Sequence, residues 1–305
     1  MHRISRDCLV YSMSPGNAPA LTVKDGDRVV FETCDCFEDQ IRHADTPYTR
    51  LDWSRTNPAT GPVYVEGAQP GDVLAVQIEQ IEPGNQAVMM MAPGLGVCGD
   101  MISAPSIRII ALEGGFGTLA QGVRVPLRPM IGVIGTAPAS ESVPCGVPDA
   151  HGGNMDCKII AEGTTLYLPV NVPGALLALG DLHAVMGGGE VSVCGMAIAG
   201  EVTVRISVVR NRVLPTPMAQ TADTIYTIAS APSLDDAANL AARNMFSFIA
   251  SETGLSTEDT VALLSVAGDL QVCQVVDLQK TCRYALPKSI AEQIGIVLQE
   301  AENVI

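Results

Sequence analysis

The clearest pattern in the chain is Glu201-Val202-Thr203-Val204-Arg205-Ile206-Ser207-Val208, where every second residue is apolar. Successive side chains of a strand point to opposite faces, so this segment predicts a half-buried strand of an antiparallel sheet. The same period places Leu74, Val76 and Ile78 on one face of Val73-Leu74-Ala75-Val76-Gln77-Ile78-Glu79, launched by the turn Gln69-Pro70-Gly71-Asp72. Val29-Val30-Phe31-Glu32 follows the Asp25-Gly26-Asp27 turn as another short strand. Such segments fill residues 1–215, and their Gly and Pro punctuation predicts a sandwich or barrel rather than alternating β/α units. Beyond residue 215 the period lengthens. Ser233-Leu234-Asp235-Asp236 has the spacing of a capping box, and Leu234, Ala237, Ala238, Ala241, Met245, Phe248 and Ile249 recur at helical intervals up to a stop at Gly254. Ser256-Thr257-Glu258-Asp259 opens a second helix through Val266, closed by Gly268. Leu270–Val276 returns as a strand, and a last helical turn follows Pro287. The expectation is a mainly β fold: a β-sandwich of jelly-roll or CUB-like type over 1–215, with an α/β flank over 216–305. No linker separates the two, so 1–305 reads as a single domain.

Composition narrows the function. Of 305 residues, 47% are hydrophobic and 17% charged, which predicts a folded globular chain; 29 glycines and 20 prolines suit its many loops. Lys plus Arg number 18 against 33 for Asp plus Glu, a net charge of -15, and the basic residues are scattered singly. That field repels nucleic acid and anionic membranes, so neither is expected as a partner. Met1-His2-Arg3-Ile4-Ser5-Arg6-Asp7 carries no apolar signal core, and runs such as Pro173–Leu179 fall short of the roughly 20 residues that span a bilayer. A soluble, cytoplasmic chain is expected. The nine cysteines are irregularly spaced and form no paired Cys-x-x-Cys motifs, so they read as small buried side chains in a reducing compartment. Cys34 and Cys36, flanking Asp35, share one face on that reading. Met89-Met90-Met91, within Ala87–Met101, could line an adaptable pocket, but an irregular apolar loop on the core is the favoured expectation.

The chemistry is expected between Pro148 and Glu190, where two of the four histidines stand among carboxylates and glycines. Asp181 and His183 lie two apart, so on extended backbone they point the same way, about 7 Å apart at Cα, and their tips can converge on one ion. A catalytic zinc takes three protein ligands and keeps an open position. Asp156, His151, Asp35 and His43 are the candidates for the third ligand. Glu190, across the turn Gly187-Gly188-Gly189, is a further ligand or a general base. Glu190, Asp156 and His151 are the candidate catalytic groups, and Gly152, Gly153 and Asn154 the candidates to hold the substrate and its oxyanion. The surplus of carboxylates leaves calcium open as a harder cation. Cys157-Lys158, beside the same cluster, leaves a covalent thiol route as the alternative.

Several ordered motifs add a resemblance. They are Asn57-Pro58-Ala59-Thr60-Gly61-Pro62, Val65-Glu66-Gly67-Ala68-Gln69-Pro70-Gly71-Asp72, Gly132-Val133-Ile134-Gly135, His151-Gly152-Gly153-Asn154-Met155-Asp156, Leu166-Tyr167-Leu168-Pro169-Val170, Gly180-Asp181-Leu182-His183 and Ser265-Val266-Ala267-Gly268-Asp269-Leu270. Nearly end to end, the chain resembles the acetamidase/formamidase family. The resemblance implies a β-sandwich with an α/β extension, hydrolysis of formamide, acetamide or small cyclic amides, and an association with zinc. The expected activity is metal-dependent hydrolysis of a small linear amide to carboxylate and ammonia. One position departs from the pattern. The family's turn usually reads Gly-Asp-Gly-Glu, whereas Gly188 stands here in place of the acid. A chain that binds a small amide without efficient hydrolysis is therefore the competing expectation. Sandwich edges and the apolar helical flank lead us to expect a homodimer or higher homo-oligomer.

Overall fold

A computed structural model describes residues 1–296; the last nine residues of the expected 216–305 flank lie outside the described residues. Two large sheets face each other across the main core, with a two-stranded ribbon beside them. The first sheet has nine strands, in the order His2–Ile4, Arg28–Thr33, Gly200–Val209, Val73–Pro83, Thr165–Pro169, Met218–Gln220, Thr224–Ala231, Lys280–Pro287 and Asp269–Gln274. The alternation at 201–208 does what its period requires: Val202, Val204, Ile206 and Val208 are buried between the neighbours Arg28–Thr33 and Val73–Pro83. The second sheet has eleven strands and carries Leu177–His183 at its centre, paired with Met130–Gly135, Ala59–Val65 and Ala197–Ile198. Ile131, Leu179 and Leu182 from this sheet join Val76, Ile78 and Val204 from the first in one apolar cluster. Most ladders are antiparallel; His2–Ile4 with Arg28–Thr33 and Leu21–Val23 with Ala59–Val65 are parallel. The fold is the mainly β sandwich that the pattern predicts.

The flank extends the first sheet, because its strands add onto Thr165–Pro169 by way of Met218–Gln220. Helix α1, Leu234–Glu252, lies on this extension and buries Ala237, Ala241, Met245, Phe248 and Ile249. Ser233 Oγ accepts the Asp236 N–H at 3.1 Å, satisfying one of the unpaired donors of the first turn. Helix α2, Thr257–Ala267, is capped the same way by Ser256 and ends at Gly268. The first helix stops at Glu252, with Thr253 rather than Gly254 as its cap. The following strand ends at Gln274, because Val275 and Val276 leave the ladder to run past Gly189. A short helix, Lys288–Ala291, does follow Pro287.

The methionine run corrects an expectation. Gln86–Met91 is a strand, paired in register with Ser106–Glu113, and not an irregular loop. Met90 is fully buried while Met89 lines a cavity, as alternation in a strand demands.

Candidate functional site

The site begins with a break in the central ladder. Leu177–His183 pairs with Met130–Gly135 through Met130–His183, Ile131–Leu182 and Val133–Gly180, a register that sets Gly132 against Asp181. Asp181 has φ +50°, in the left-handed region that non-glycine residues seldom enter. Asp156 (φ +43°) and Glu190 (φ +40°) share that conformation. Such backbone persists where the surroundings over-determine it, and it gathers at functional sites. Gly132 shows what the surroundings are. A Cβ at this residue would stand 2.6 Å from Asp156 Oδ1 and 2.7 Å from Asp181 Oδ2. The two carboxylates occupy the space that a side chain at 132 would take.

Asp156, Asp181 and His183 each offer a ligand atom, and the three atoms lie within 4.8 Å of one another. All three residues are almost wholly buried. His183 Nε2 stands 3.3 Å from Asp181 Oδ1 and 3.9 Å from Glu190 Oε1, and Nδ1 stands 3.8 Å from Asp156 Oδ1. These are attractions of charge rather than hydrogen bonds. Asp156 Oδ1, Asp181 Oδ1, both His183 nitrogens and Glu190 Oε2 have no hydrogen-bond partner. Buried polar atoms in folded proteins are nearly always paired, so orphans that converge on one point mark a place for a guest.

The crowding perturbs Glu190, Asp156 and His183. Burial, then the charges of Asp181 and Asp277, push the Glu190 carboxyl up to about 9. Burial, then Glu190 and Asp181, raise Asp156 well above the usual carboxylate range. Burial alone would lower His183, but the Asp181 and Asp156 carboxylates outweigh it and bring it to about 9. A bound cation would act on these same groups.

The other predicted residues fall less centrally. Asp35 is buried, but its Oδ1 accepts the Phe37 and Asp39 N–H groups at 2.8 Å each. Burial first, with the Asp181 charge among the lesser causes, pushes it up to about 6. His43 is exposed on its loop and is not brought to the cluster, because Arg42–Asp45 run along the surface. His151 is buried with Nε2 unpaired, and burial lowers it to about 4; the charge acting on it is Asp149, not the cluster. Gly152 donates its N–H to the Asp149 carbonyl at 3.0 Å and so has none left for an oxyanion. Gly153 lies in the ladder opposite Ile134. Cys157 is turned into the core, where Arg283 Nη1 reaches its Sγ at 3.7 Å and that of Cys273 at 3.6 Å. It does not face the cluster as a nucleophile must.

Two residues of the site were not anticipated. Asp277, in the loop between Asp269–Gln274 and Lys280–Pro287, accepts the Asn154 Nδ2–H at 2.8 Å. Burial, then the Asp181 charge, bring it up to about 7. Cys194 lines a cavity of about 240 Å³ together with Met89, Val185, Met186, Gly188 and Glu190. Its thiol is held below the usual value, chiefly by a hydrogen bond with Cys36 and despite burial. Gly188 is exposed, and a Cβ there would meet Val272 O at 3.4 Å and Lys158 Nζ at 3.6 Å. An acid at this position would stand within reach of Lys158.

The model of the acetamidase/formamidase family matches residues 12–145 and 139–293. The structure is similar to an acetamidase from Bacillus halodurans, 48% identical, with a TM-score of 0.95 over 96% of this chain and 100% of that one. It is also similar to a predicted acetamidase/formamidase from Thermoanaerobacter tengcongensis, 44% identical, TM-score 0.96, over 97% and 99% of the two chains. A formamidase of Methylophilus methylotrophus is 26% identical over 250 residues, 63% of this chain and 61% of its own. The chain spans less than two thirds of the length of the curated relatives it matches. With the family model covering most of the sequence and the fold superposing almost completely on its members, the chain belongs to the acetamidase/formamidase family.

Proposed function

We propose that the chain hydrolyses a small linear amide to its carboxylate and ammonia at the cluster of Asp156, Asp181, His183 and Glu190. The observation that carries this reading is the convergence of unpaired, buried ligand atoms of Asp156, Asp181 and His183, with Glu190 beside them. Relatives named acetamidase and formamidase support an amide as substrate.

The donor set fits zinc. One imidazole and two carboxylates, all lacking other partners, are ligands of the kind that metal takes in catalytic sites. Calcium, which gathers about six to eight oxygens, fits a set containing an imidazole less well. When bound, zinc supplies Lewis-acid polarisation and a lowered water pKa. The remaining work belongs to the protein. Amide nitrogen leaves poorly unless protonated, and Glu190, beside His183, would take the proton that the attacking water loses and deliver it to that nitrogen. Met89, Val185 and Met186 give the cavity beside Glu190 an apolar wall.

Ammonia release from formamide and acetamide tests the reading, measured on the protein as purified, after chelator treatment and after zinc is returned. Release that disappears with chelator and returns with zinc is the expected result; no release from either amide under any of the three conditions would overturn it. A thiol route is favoured by one observation, the position of Cys194 on the cavity that holds Glu190. Activity that resists chelator and is lost on thiol alkylation would establish that route instead.

A further inference from the structure

We infer that Asn154 reads the nitrogen of the substrate: its side-chain Oδ1 accepts a hydrogen bond from the N–H2 of a primary amide, and Asp277 holds it in the orientation that makes this possible. The inference rests on the hydrolytic reading above and assigns a specificity-determining residue to it.

Asn154 is 3% exposed, and its Oδ1 has no hydrogen-bond partner. Its Nδ2 donates to Asp277 Oδ2 at 2.8 Å. The amide group of Asn154 faces Asp277 with its nitrogen, which leaves Oδ1 as the unpaired end. One N–H of Asn154 is therefore engaged, and its acceptor is left buried and open. Holding an oxyanion would call on the remaining Nδ2–H, whereas the open Oδ1 needs a donor from its partner. It is suited to the opposite end of an amide, whose nitrogen carries two N–H groups. The oxygen of an ester offers none, and neither does a fully substituted amide.

Both partners are fixed. Asn154 ends the strand Gly152–Asn154, opposite Val133, one strand away from Asp181. Asp277 sits in a loop whose N–H groups at Val276 and Asp277 are both accepted by Gln274 Oε1, at 2.9 and 3.0 Å, while Lys280 Nζ bonds the Asp277 carbonyl. The same loop is tied to the turn that carries Glu190, through Val275 N–H to the Gly189 carbonyl at 3.2 Å. The Asp277 carboxylate is near enough to Asp181, His183 and Glu190 for their charges to act on one another. The open acceptor is thus linked, through Asp277 and its loop, to the turn that carries Glu190. A buried polar group built for a partner discriminates strongly against an analogue that lacks it, because the group is then left unpaired.

The test compares acetamide with methyl acetate and N,N-dimethylacetamide in the wild type, Asn154→Ala, Asp277→Ala and the double variant. Zinc content and melting temperature are recorded for each. The expected result is a fall of about 10-fold in kcat/KM for acetamide in either single variant, the size of one lost hydrogen bond. Methyl acetate should change by less than about 2-fold on the same grounds. The double variant should be no worse than Asn154→Ala, since the two residues act as one unit. A merely structural role would lower all substrates together and leave the amide-to-ester ratio constant; that result overturns the inference. So do losses that multiply in the double variant, and a fall in zinc content in Asn154→Ala, which would assign Oδ1 to the ion. If Asn154→Ala fails to fold, Asp277→Ala decides through the same ratio. If the wild type releases no ammonia, the hydrolytic reading falls and equilibrium binding decides the inference. Preference for acetamide over N,N-dimethylacetamide in the wild type, lost in Asp277→Ala, would support it; equal binding would overturn it.

Discussion

Gly132 shapes the site through the side chain it lacks, since the carboxylates of Asp156 and Asp181 meet where its Cβ would stand. Both are buried and both hold left-handed backbone, so neither can retreat cheaply. Gly132→Ala should displace them, lowering kcat by about 100-fold, the cost of an ångström-scale misplacement near reacting groups. The stability cost should be about 1–3 kcal/mol, as for other overpacked interiors. Steady-state kinetics and urea unfolding read the two effects separately, and a fully active variant would show that the carboxylates do not need this space. His151 makes a different contribution. It is neutral in the folded chain, with its value lowered from 6.5 to about 4 by burial. Between those values the unfolded chain binds the proton and the folded chain does not, so stability is lost as the solution is acidified. The contribution is complete above pH 6.5 and gone below about pH 4, and it amounts to about 3 kcal/mol at 1.36 kcal/mol per pKa unit. Urea midpoints at both ends of that window should show His151→Gln losing less stability on acidification than the wild type does. Equal losses would mean that His151 is not what titrates.

At the scale of elements, the hairpin Asp269–Gln274 and Lys280–Pro287 brings the flank to the site, with Gln274 at its hinge. Gln274 is fully buried; besides accepting the Val276 and Asp277 N–H groups, its Nε2 donates to Gln279 O and Thr281 Oγ1. Gln274→Ala leaves these groups unpaired, for an expected loss of about 1–3 kcal/mol. Hydrogen exchange should show the Val276 and Asp277 amides opening well before the core of Leu177–His183; unchanged protection would mean that the loop holds itself. How legible such elements are in the sequence follows from how local their causes are. The strand at 200–209 and both helices declare themselves through period and cap, because alternate burial and the Ser233 and Ser256 hydroxyls act within a few residues. The Met89–Met91 strand misleads because three like residues hide the alternation of its burial. Asp181 and His183 do come together, but an extended spacing is only part of the cause, since Asp181 leaves extended backbone altogether. Asp277 carries no local signal, and only the pairing of distant strands delivers it to Asn154. His43 reads as a candidate for its residue type alone, and the surface course of its loop decides otherwise.

Across the whole molecule, the cluster is where three parts of the chain close on one another: the central strand of the second sheet, the glycine turn before Glu190, and the hairpin that extends the first sheet. Closing there confines Asp156, Asp181, Glu190 and the more peripheral Asp277 with one imidazole, in a chain whose net charge is already -15. Like charges in low dielectric repel, so the arrangement opposes folding unless a cation offsets it. A cation that binds only the folded chain stabilises it by mass action, about 2.7 kcal/mol at a free concentration of 100 times Kd. For a protein of this size that corresponds to a melting temperature several degrees higher, at about 2–4 °C per kcal/mol. Chelator should therefore lower Tm by that much and zinc should restore it, in a calorimetric scan that needs no substrate. His183→Ala and Asp181→Asn should each melt at a temperature that chelator no longer moves, because the ligand set is broken before the chelator acts. Wild type and His183→Ala responding alike would place any stabilising cation away from this cluster, and the unpaired atoms at Asp156, Asp181 and His183 would then have to be satisfied by the substrate itself.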